Sequence, residues 1–249
     1  MELGLHDRVA LVTGAARGIG AAIARALAQE GCSLALVDCA LDDALRATAG
    51  ELEALGRPVR TFTADVRDFG RAEAIVAALT EQWGGLDIVV CNAGITRDGV
   101  SWKLTEEEWD DVVDVNLKGC FNYCRAAAPA LRARGGGRIV NISSINGLRG
   151  KRGQANYAAA KAGIVGLSRS VARELGRYGV TVNVVAPGMV TTAMTASLPA
   201  EVVETARTET VVGRIATPED VADVVAFLCS ARARHVTGAV LRVDGGQYM

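Results

Sequence analysis

Val9-Ala10-Leu11-Val12-Thr13-Gly14-Ala15-Ala16-Arg17-Gly18-Ile19-Gly20 joins an apolar run to a glycine-dense turn, and a helical run over residues 21–29 follows. Four apolar residues in succession suit a strand covered on both faces. Gly14, Gly18 and Gly20 let the chain turn sharply and bring backbone N–H groups close to an anion with no Cβ in the way. A second apolar run, 33–37, leads to Asp38. Strand, glycine turn, helix, strand and terminal acid together form a dinucleotide cradle, with pyrophosphate at the helix N-terminus and the acid on a ribose 2′-hydroxyl. Without that context the glycines would indicate only a tight turn. Asp38 favours NAD(H) over NADP(H), because a carboxylate accepts from the 2′-hydroxyl and repels a 2′-phosphate. Arg17 pulls the other way if its guanidinium meets a 2′-phosphate; otherwise it is a solvated loop residue.

The same alternation continues along the chain. Strands are predicted at 9–12, 33–37, 59–63, 88–91, 138–142, 180–185 and 240–243, with helical spacing between them. The fold class that follows is α/β: a single-domain Rossmann fold with a seven-stranded, doubly wound parallel sheet and helices on both faces. No Ser/Pro-rich linker, charge block or repeat divides the 249 residues, so residues 1–249 read as one unit. Gly135-Gly136-Gly137 is a tight turn into the fifth strand.

Half of the residues are hydrophobic, enough for a sizeable core, and the formal net charge of -1 argues against nucleic acid or an anionic membrane surface as partner. Glu2, Asp7 and the early stop at Thr13-Gly14 do not resemble a secretory leader, and a cytoplasmic location is expected. The uncharged stretch 178–200 is long enough for a bilayer, but Asn183, Pro187 and Pro199 make it a strand running into a loop. Cys32, Cys39, Cys91, Cys120, Cys124 and Cys229 lack CxxC spacing and read as reduced thiols, mostly buried. Cys120 and Cys124 could share a helix face. With no His or third Cys near them in the chain they read as core, and no metal is expected.

Tyr157 and Lys161 stand at i and i+4 on an alanine-rich helical run, hence on one face. Reduction of a ketone needs a hydride on carbon and a proton on oxygen; a nicotinamide supplies the hydride and the protein must supply the acid. A lysine beside a phenol lowers its pKa, and a shift of about three units requires roughly 4 kcal/mol of differential stabilisation. Alone, the pair could equally be two exposed residues on a helix.

Thr13-Gly14-x-x-x-Gly18-x-Gly20, Asn92-Ala93-Gly94, Asn116, Ser144, Tyr157-x-x-x-Lys161 and Pro187-Gly188 occur in this order, and with them the chain resembles the short-chain dehydrogenase/reductase family over essentially its whole length. The resemblance implies a catalytic set of Ser144, Tyr157, Lys161 and Asn116, in which Ser144 holds the substrate oxygen and Asn116 anchors a water chain from the lysine. The family's interval to the tyrosine counts back to Ser144; Ser143 should face away. It further implies cofactor contacts from Gly14, Arg17, Gly18, Ile19 and Gly20, from Asp38, from Asp65 and Val66 at the adenine, from Asn92, Ala93 and Gly94, and from Tyr157 and Lys161. Pro187, Gly188, Val190 and Thr192 fall on the nicotinamide side. Cys91 stands where many relatives carry a second asparagine.

Within the family the chain is most similar to 3-oxoacyl-(acyl carrier protein) and acetoacetyl-CoA reductases, through residues 92–98, 153–163, 182–188 and 245–249. The resemblance implies a 3-oxoacyl thioester substrate beneath a lid at about 189–215, with apolar Met189, Met194, Leu198, Val202 and Val203. Val202, Val203, Val211 and Val212 could also be ordinary core. An NAD-dependent dehydrogenase of a polyol, cyclic alcohol or steroid is the alternative Asp38 supports, and a cofactor-binding regulator without turnover is the remote one. An acyl carrier protein is a possible partner: Arg132, Arg134, Arg173 and Arg177 lie near the family's docking positions, which fall on Gly135 and Tyr178. Tetrameric relatives imply a homotetramer joined by the Tyr157 helix and the C-terminal segment.

Overall fold

Seven parallel strands are hydrogen-bonded in the order β3-β2-β1-β4-β5-β6-β7: β1 (Val9–Thr13), β2 (Ser33–Asp38), β3 (Val59–Thr63), β4 (Ile88–Cys91), β5 (Gly137–Ile142), β6 (Val180–Pro187) and β7 (Val240–Val243). They are seen in a computed structural model that describes residues 3–196 and 198–249. All seven expected strands are present. β1 and β2 each run one residue further than expected, to Thr13 and Asp38, because parallel pairing continues between Thr13 and Val37 and between Asp38 and Thr63.

The apolar strands divide their side chains between two cores. Ala10 and Val12 of β1, Ile88 and Val90 of β4 and Val140 of β5 face a core built with α1 (Gly18–Gln29), α2 (Asp43–Ala54) and α10 (Pro218–Cys229). Their neighbours Val9, Leu11, Val89 and Ile139 face the other core, built with α3 (Phe69–Trp83), α5 (Gly119–Ala133) and α7 (Ala155–Leu175). The period-2 alternation of a strand thus buries both faces, which is why no polar residue interrupts these runs. Leu11 and Val12 are wholly buried, each worth about 2 kcal/mol.

Strand order reverses between β1 and β4, and the crevice beyond the carboxyl ends of these strands is where sheets of this kind bind ligands. The turns after β1, β4, β5 and β6 converge on that edge. A continuous helical run reaches it too: α4 (Glu106–Val113) passes through a π-helical turn, Asp114–Lys118, into α5. The short α6 (Asn146–Arg149) follows β5, and α8 (Ala193–Ala196) and α9 (Ala200–Glu209) follow β6. Among the described residues no helix is long and apolar enough to cross a membrane; within 178–200, β6 ends at Pro187, and a short loop leads to α8 and then to the start of α9.

Two expectations change. A third thiol does lie near Cys120 and Cys124: Cys91, brought over from β4, because the chain crosses from that strand to the helix covering it. Val211 and Val212 are 68% and 65% exposed and belong to no core; they lie against the glycine turn Gly245-Gly246. Cys39 is exposed and the other five cysteines are buried.

Candidate active site

The glycine turn ends in a helix without a side-chain cap. α2, α3, α4 and α10 have Asp42, Asp68, Thr105 and Thr217 as N-caps, each accepting from a first-turn N–H. α1 has Arg17 at that position, no side-chain bond and no acid in its first turn, so its N–H groups remain available to an anion. A Cβ on Gly20 would overlap the Gly14 carbonyl oxygen, and on Gly14 it would lie 2.9 Å from Ala93 Cα. Asn92 closes the turn from β4: its Nδ2 donates to the carbonyls of Thr13 and Gly14, both at 3.1 Å, and Thr13 Oγ1 accepts from the N–H groups of Asn92 and Ala93. Thr192 crosses from the far loop to within 3.4 Å of where a Gly18 Cβ would stand. Residues of three separate segments thus enclose one cradle, and it fits a dinucleotide phosphate.

Asp38 Oδ2 accepts from Ala16 N at 2.9 Å and Oδ1 from Cys39 N at 2.8 Å, which fixes the carboxylate beside the turn. Arg17 is ion-paired with Asp42, the N-cap of α2. Asp65 is held by Arg67, whose guanidinium lies 2.7 Å away and lowers its pKa by hydrogen bonding. Val66 packs on Gly119, and its carbonyl accepts from Asn122 Nδ2 at 2.9 Å. Val190 points into the core and its main chain bridges to Ala216. Gly188 bonds from N–H to Val243 O at 3.0 Å, and Pro187 O accepts from Ile145 N, tying the β6 loop to those after β5 and β7.

Ser144 follows β5, and its Oγ accepts from Asn146 N at 3.1 Å. The adjacent Ser143 donates to Lys161 O at 2.7 Å, so its hydroxyl is engaged by the backbone of α7. Tyr157 is half-buried at the start of α7. Burial pushes its phenol up to about 12, with hydrogen bonding from Ser144 working against that rise and the Asp98 charge adding to it. The expectation that Lys161 lowers the phenol is not met here: Lys161 Nζ donates to Ile142 O at 2.8 Å and lies 5.5 Å from the tyrosine ring centroid. Desolvation is the leading cause of the rise, and the lysine is not among the groups that act on the phenol.

Burial also lowers Lys161, to about 8. Below that pH the side chain is charged both folded and unfolded, and the fold carries the whole desolvation cost. Between about 8 and 10.5 only the unfolded chain holds the proton, so stability rises with pH through this window. Lys161→Met is expected to stabilise the fold at pH 7 by up to about 3 kcal/mol, reduced by the lost bond to Ile142, with the gain shrinking by pH 10.5. Urea unfolding at both pH values checks this; equal stability of variant and wild type at pH 7 would contradict it.

Asn116 sits in the π-helical turn. Its Nδ2 donates to Val112 O at 2.8 Å, the carbonyl that its own N–H would use in an α-helix, and to Ile95 O at 2.9 Å. This insertion into the ladder accounts for the local widening. Its Oδ1 is buried with no partner. A Cβ on Gly94 would come 2.5 Å from that Oδ1 and 3.4 Å from Lys161 Nζ, so both atoms face the space left by the bare glycine. Four polar residues outside the expected set support this corner. Gln154 Nε2 donates to Asp98 at 3.0 Å, Asn146 Nδ2 to Gln154 Oε1 at 3.0 Å, and Asn156 Nδ2 to the carbonyls of Arg97 and Glu108. Their signal in the chain was polar residues clustered where a helix begins, which reads as a cap until the partners are visible.

The geometry has counterparts in known proteins. The family model described as enoyl-(acyl carrier protein) reductase matches residues 14–247. The 3-oxoacyl-[acyl-carrier-protein] reductase FabG of Staphylococcus aureus (strain Mu50) is 44% identical over 240 residues, 96% of this chain and 98% of that protein. The FabG of Thermotoga maritima is 41% identical over 242 residues, 97% and 98% of the two chains. A crystal structure described as that of a short-chain alcohol dehydrogenase from Sinorhizobium meliloti 1021 superposes with a TM-score of 0.95 at 36% identity, covering 99% of this chain and 98% of the other. With a glycine cradle at the switch point and this likeness over its full length, the chain belongs to the short-chain dehydrogenase/reductase family and is a nicotinamide-dependent oxidoreductase acting on a carbonyl or alcohol group.

Proposed function

We propose that the protein reduces a 3-oxoacyl thioester with NADH, and that Tyr157 delivers the proton. The observation that carries the substrate class is the near-complete correspondence with relatives named as 3-oxoacyl-[acyl-carrier-protein] reductases. Bound nicotinamide supplies the hydride. Ser144 Oγ donates to the ketone oxygen and holds it toward Tyr157. The phenol holds its proton at neutral pH, and although burial makes it a weaker acid, the alkoxide that develops on the ketone oxygen is more basic still and takes that proton. Lys161 and the free Oδ1 of Asn116 meet above Gly94, the place for a relay that returns a proton to the tyrosine. Residues 189–215 form the lid: Leu198 and Val202 lie at its exposed surface, while Ser197 and the side chain of Met194 fall outside the described residues. Reduction of acetoacetyl-CoA followed by nicotinamide absorbance tests the reading; background rates beside rapid reduction of another ketone would overturn it.

NADH is favoured because Asp38 is locked by two backbone N–H groups and Arg17 is engaged by Asp42. Asp38→Ser is expected to shift the kcat/KM ratio toward NADPH by at least about tenfold, from loss of the 2′-hydroxyl bond and of the repulsion. An unchanged ratio in steady-state assays with both cofactors would refute the role of Asp38. The same carboxylate supports a second reading, an NAD-linked secondary-alcohol dehydrogenase, which a screen of alcohols with NAD would separate from the first.

A carrier protein as the thioester's bearer follows from the relatives' names. Arg132 and Arg177 stack on the Tyr178 ring at 4.4 and 4.8 Å, whereas Arg134 is paired with Asp87. This basic pair lies at the far end of α7, about 30 Å along the helix from Tyr157. That separation favours a thioester whose recognition does not depend on this patch of the same chain.

A further inference from the structure

Cys91 at the end of β4 and Cys120 and Cys124, one turn apart on α5, bring three sulfur atoms within 4.8 Å of one another. All three residues are buried, at 6%, 5% and 2% exposure. A metal bound by thiolates at about 2.3 Å holds its sulfurs about 4 Å apart, so the cluster needs to contract by less than about 1 Å to close on an ion. A fixed polar shell lies beside it. Asn141 Nδ2 donates to Cys124 Sγ at 3.8 Å, a bond a thiolate can accept, and to Ser168 Oγ at 2.9 Å, and Ser168 Oγ donates to Ile164 O at 2.7 Å. Such a chain orients a ligand sulfur from behind.

Charge selects the class of ion. Three thiolates around a divalent cation leave one negative charge, and Lys161 is close enough to act electrostatically on both Cys91 and Cys120. The buried assembly is then neutral overall, which removes the main objection to placing charge in a core. A monovalent ion would leave a surplus negative charge. Soft sulfur ligands exclude magnesium and calcium.

We propose that Cys91, Cys120 and Cys124 form a buried three-thiolate site for one divalent thiophilic ion of the zinc, cadmium and mercury class, and that its occupation weakens nicotinamide binding. The link to the cofactor is covalent and short. Cys91 precedes Asn92, whose side chain holds the Thr13 and Gly14 carbonyls, so contraction of the cluster pulls on the wall of the phosphate cradle. Each ion binds with release of the protons its thiols carried, and no electron transfer is involved.

Cadmium chloride titrated into the folded chain under reducing conditions is the test, read by sulfur-to-cadmium charge-transfer absorbance, by cadmium NMR and by NADH fluorescence. One ion per chain, a cadmium shift characteristic of three sulfurs, a raised Tm and NADH affinity lowered at least about tenfold are expected. Cys120→Ala should lose cadmium affinity by at least about a hundredfold, and Cys39→Ser, at the exposed cysteine, should keep it. Cys124→Ala serves as the second variant, and circular dichroism of both variants establishes that they are folded. No charge-transfer band, a band surviving in both alanine variants, loss of the band in Cys39→Ser, or a lowered Tm would overturn the site. Stoichiometric binding with unchanged NADH affinity would overturn its coupling to the cofactor.

Discussion

Tyr157→Phe is expected to lose about a thousandfold or more in kcat for ketone reduction while NADH affinity stays nearly the same. The substitution removes one oxygen and keeps the ring, so the packing of α7 against α4 is undisturbed. What is lost is the phenol hydroxyl held beside Ser144, a stronger acid than any serine hydroxyl and the proton source for the substrate oxygen. General acid catalysis of this kind contributes 10² to 10⁴, and water is a poor replacement in a half-buried corner. Steady-state kinetics together with NADH fluorescence titration separate the two effects. A residual rate within about tenfold of wild type would remove Tyr157 as proton donor, whereas a parallel collapse of NADH binding would indicate a structural role.

Gly20→Ala is the second large effect expected, and it acts on the cofactor. The added methyl meets the Gly14 carbonyl oxygen inside contact distance and lies 2.6 Å from Asn92 Nδ2. Ordinarily a loop would retreat. Here Asn92 grips the carbonyls of Thr13 and Gly14, and Thr13 Oγ1 is gripped in turn by two N–H groups, so retreat breaks the bonds that shape the cradle. Overpacking of this sort costs about 1–3 kcal/mol, which for a chain of this length lowers Tm by several degrees. Displacement of the first-turn N–H groups is expected to weaken NADH binding at least about a hundredfold. Calorimetry and fluorescence titration measure both quantities; wild-type affinity in a folded Gly20→Ala variant would show that the cradle does not hold the phosphates.

Some of this architecture was readable because its causes are local. An apolar run, a glycine turn and a helical period depend on residues a few places apart, so β1, α1 and β2 were visible before any contact was known, and so was the acid at the end of β2. The face shared by Tyr157 and Lys161 follows from helix geometry alone, whereas the choice of Ser144 over Ser143 rests on the interval that the family resemblance implies; the structure shows Ser143 donating to Lys161 O. Other features needed partners distant in the chain. Arg17 could contact a phosphate or face solvent until Asp42 was found beside it. Asn116 was a polar helix residue until its carboxamide was seen taking the Val112 carbonyl and opening a π-helical turn.

The pattern of residues by itself determined the strand–helix alternation, the position of the phosphate turn and the residues that line up toward it, because backbone preference and periodicity are short-range properties. Tertiary structure decided the ionisation of Tyr157 and Lys161, the direction of the lysine toward Ile142 and the meeting of Cys91 with Cys120 and Cys124. These depend on how much water the fold excludes and on which strand a helix comes to cover. Desolvation acts through the whole surrounding volume, and no spacing along the chain records it.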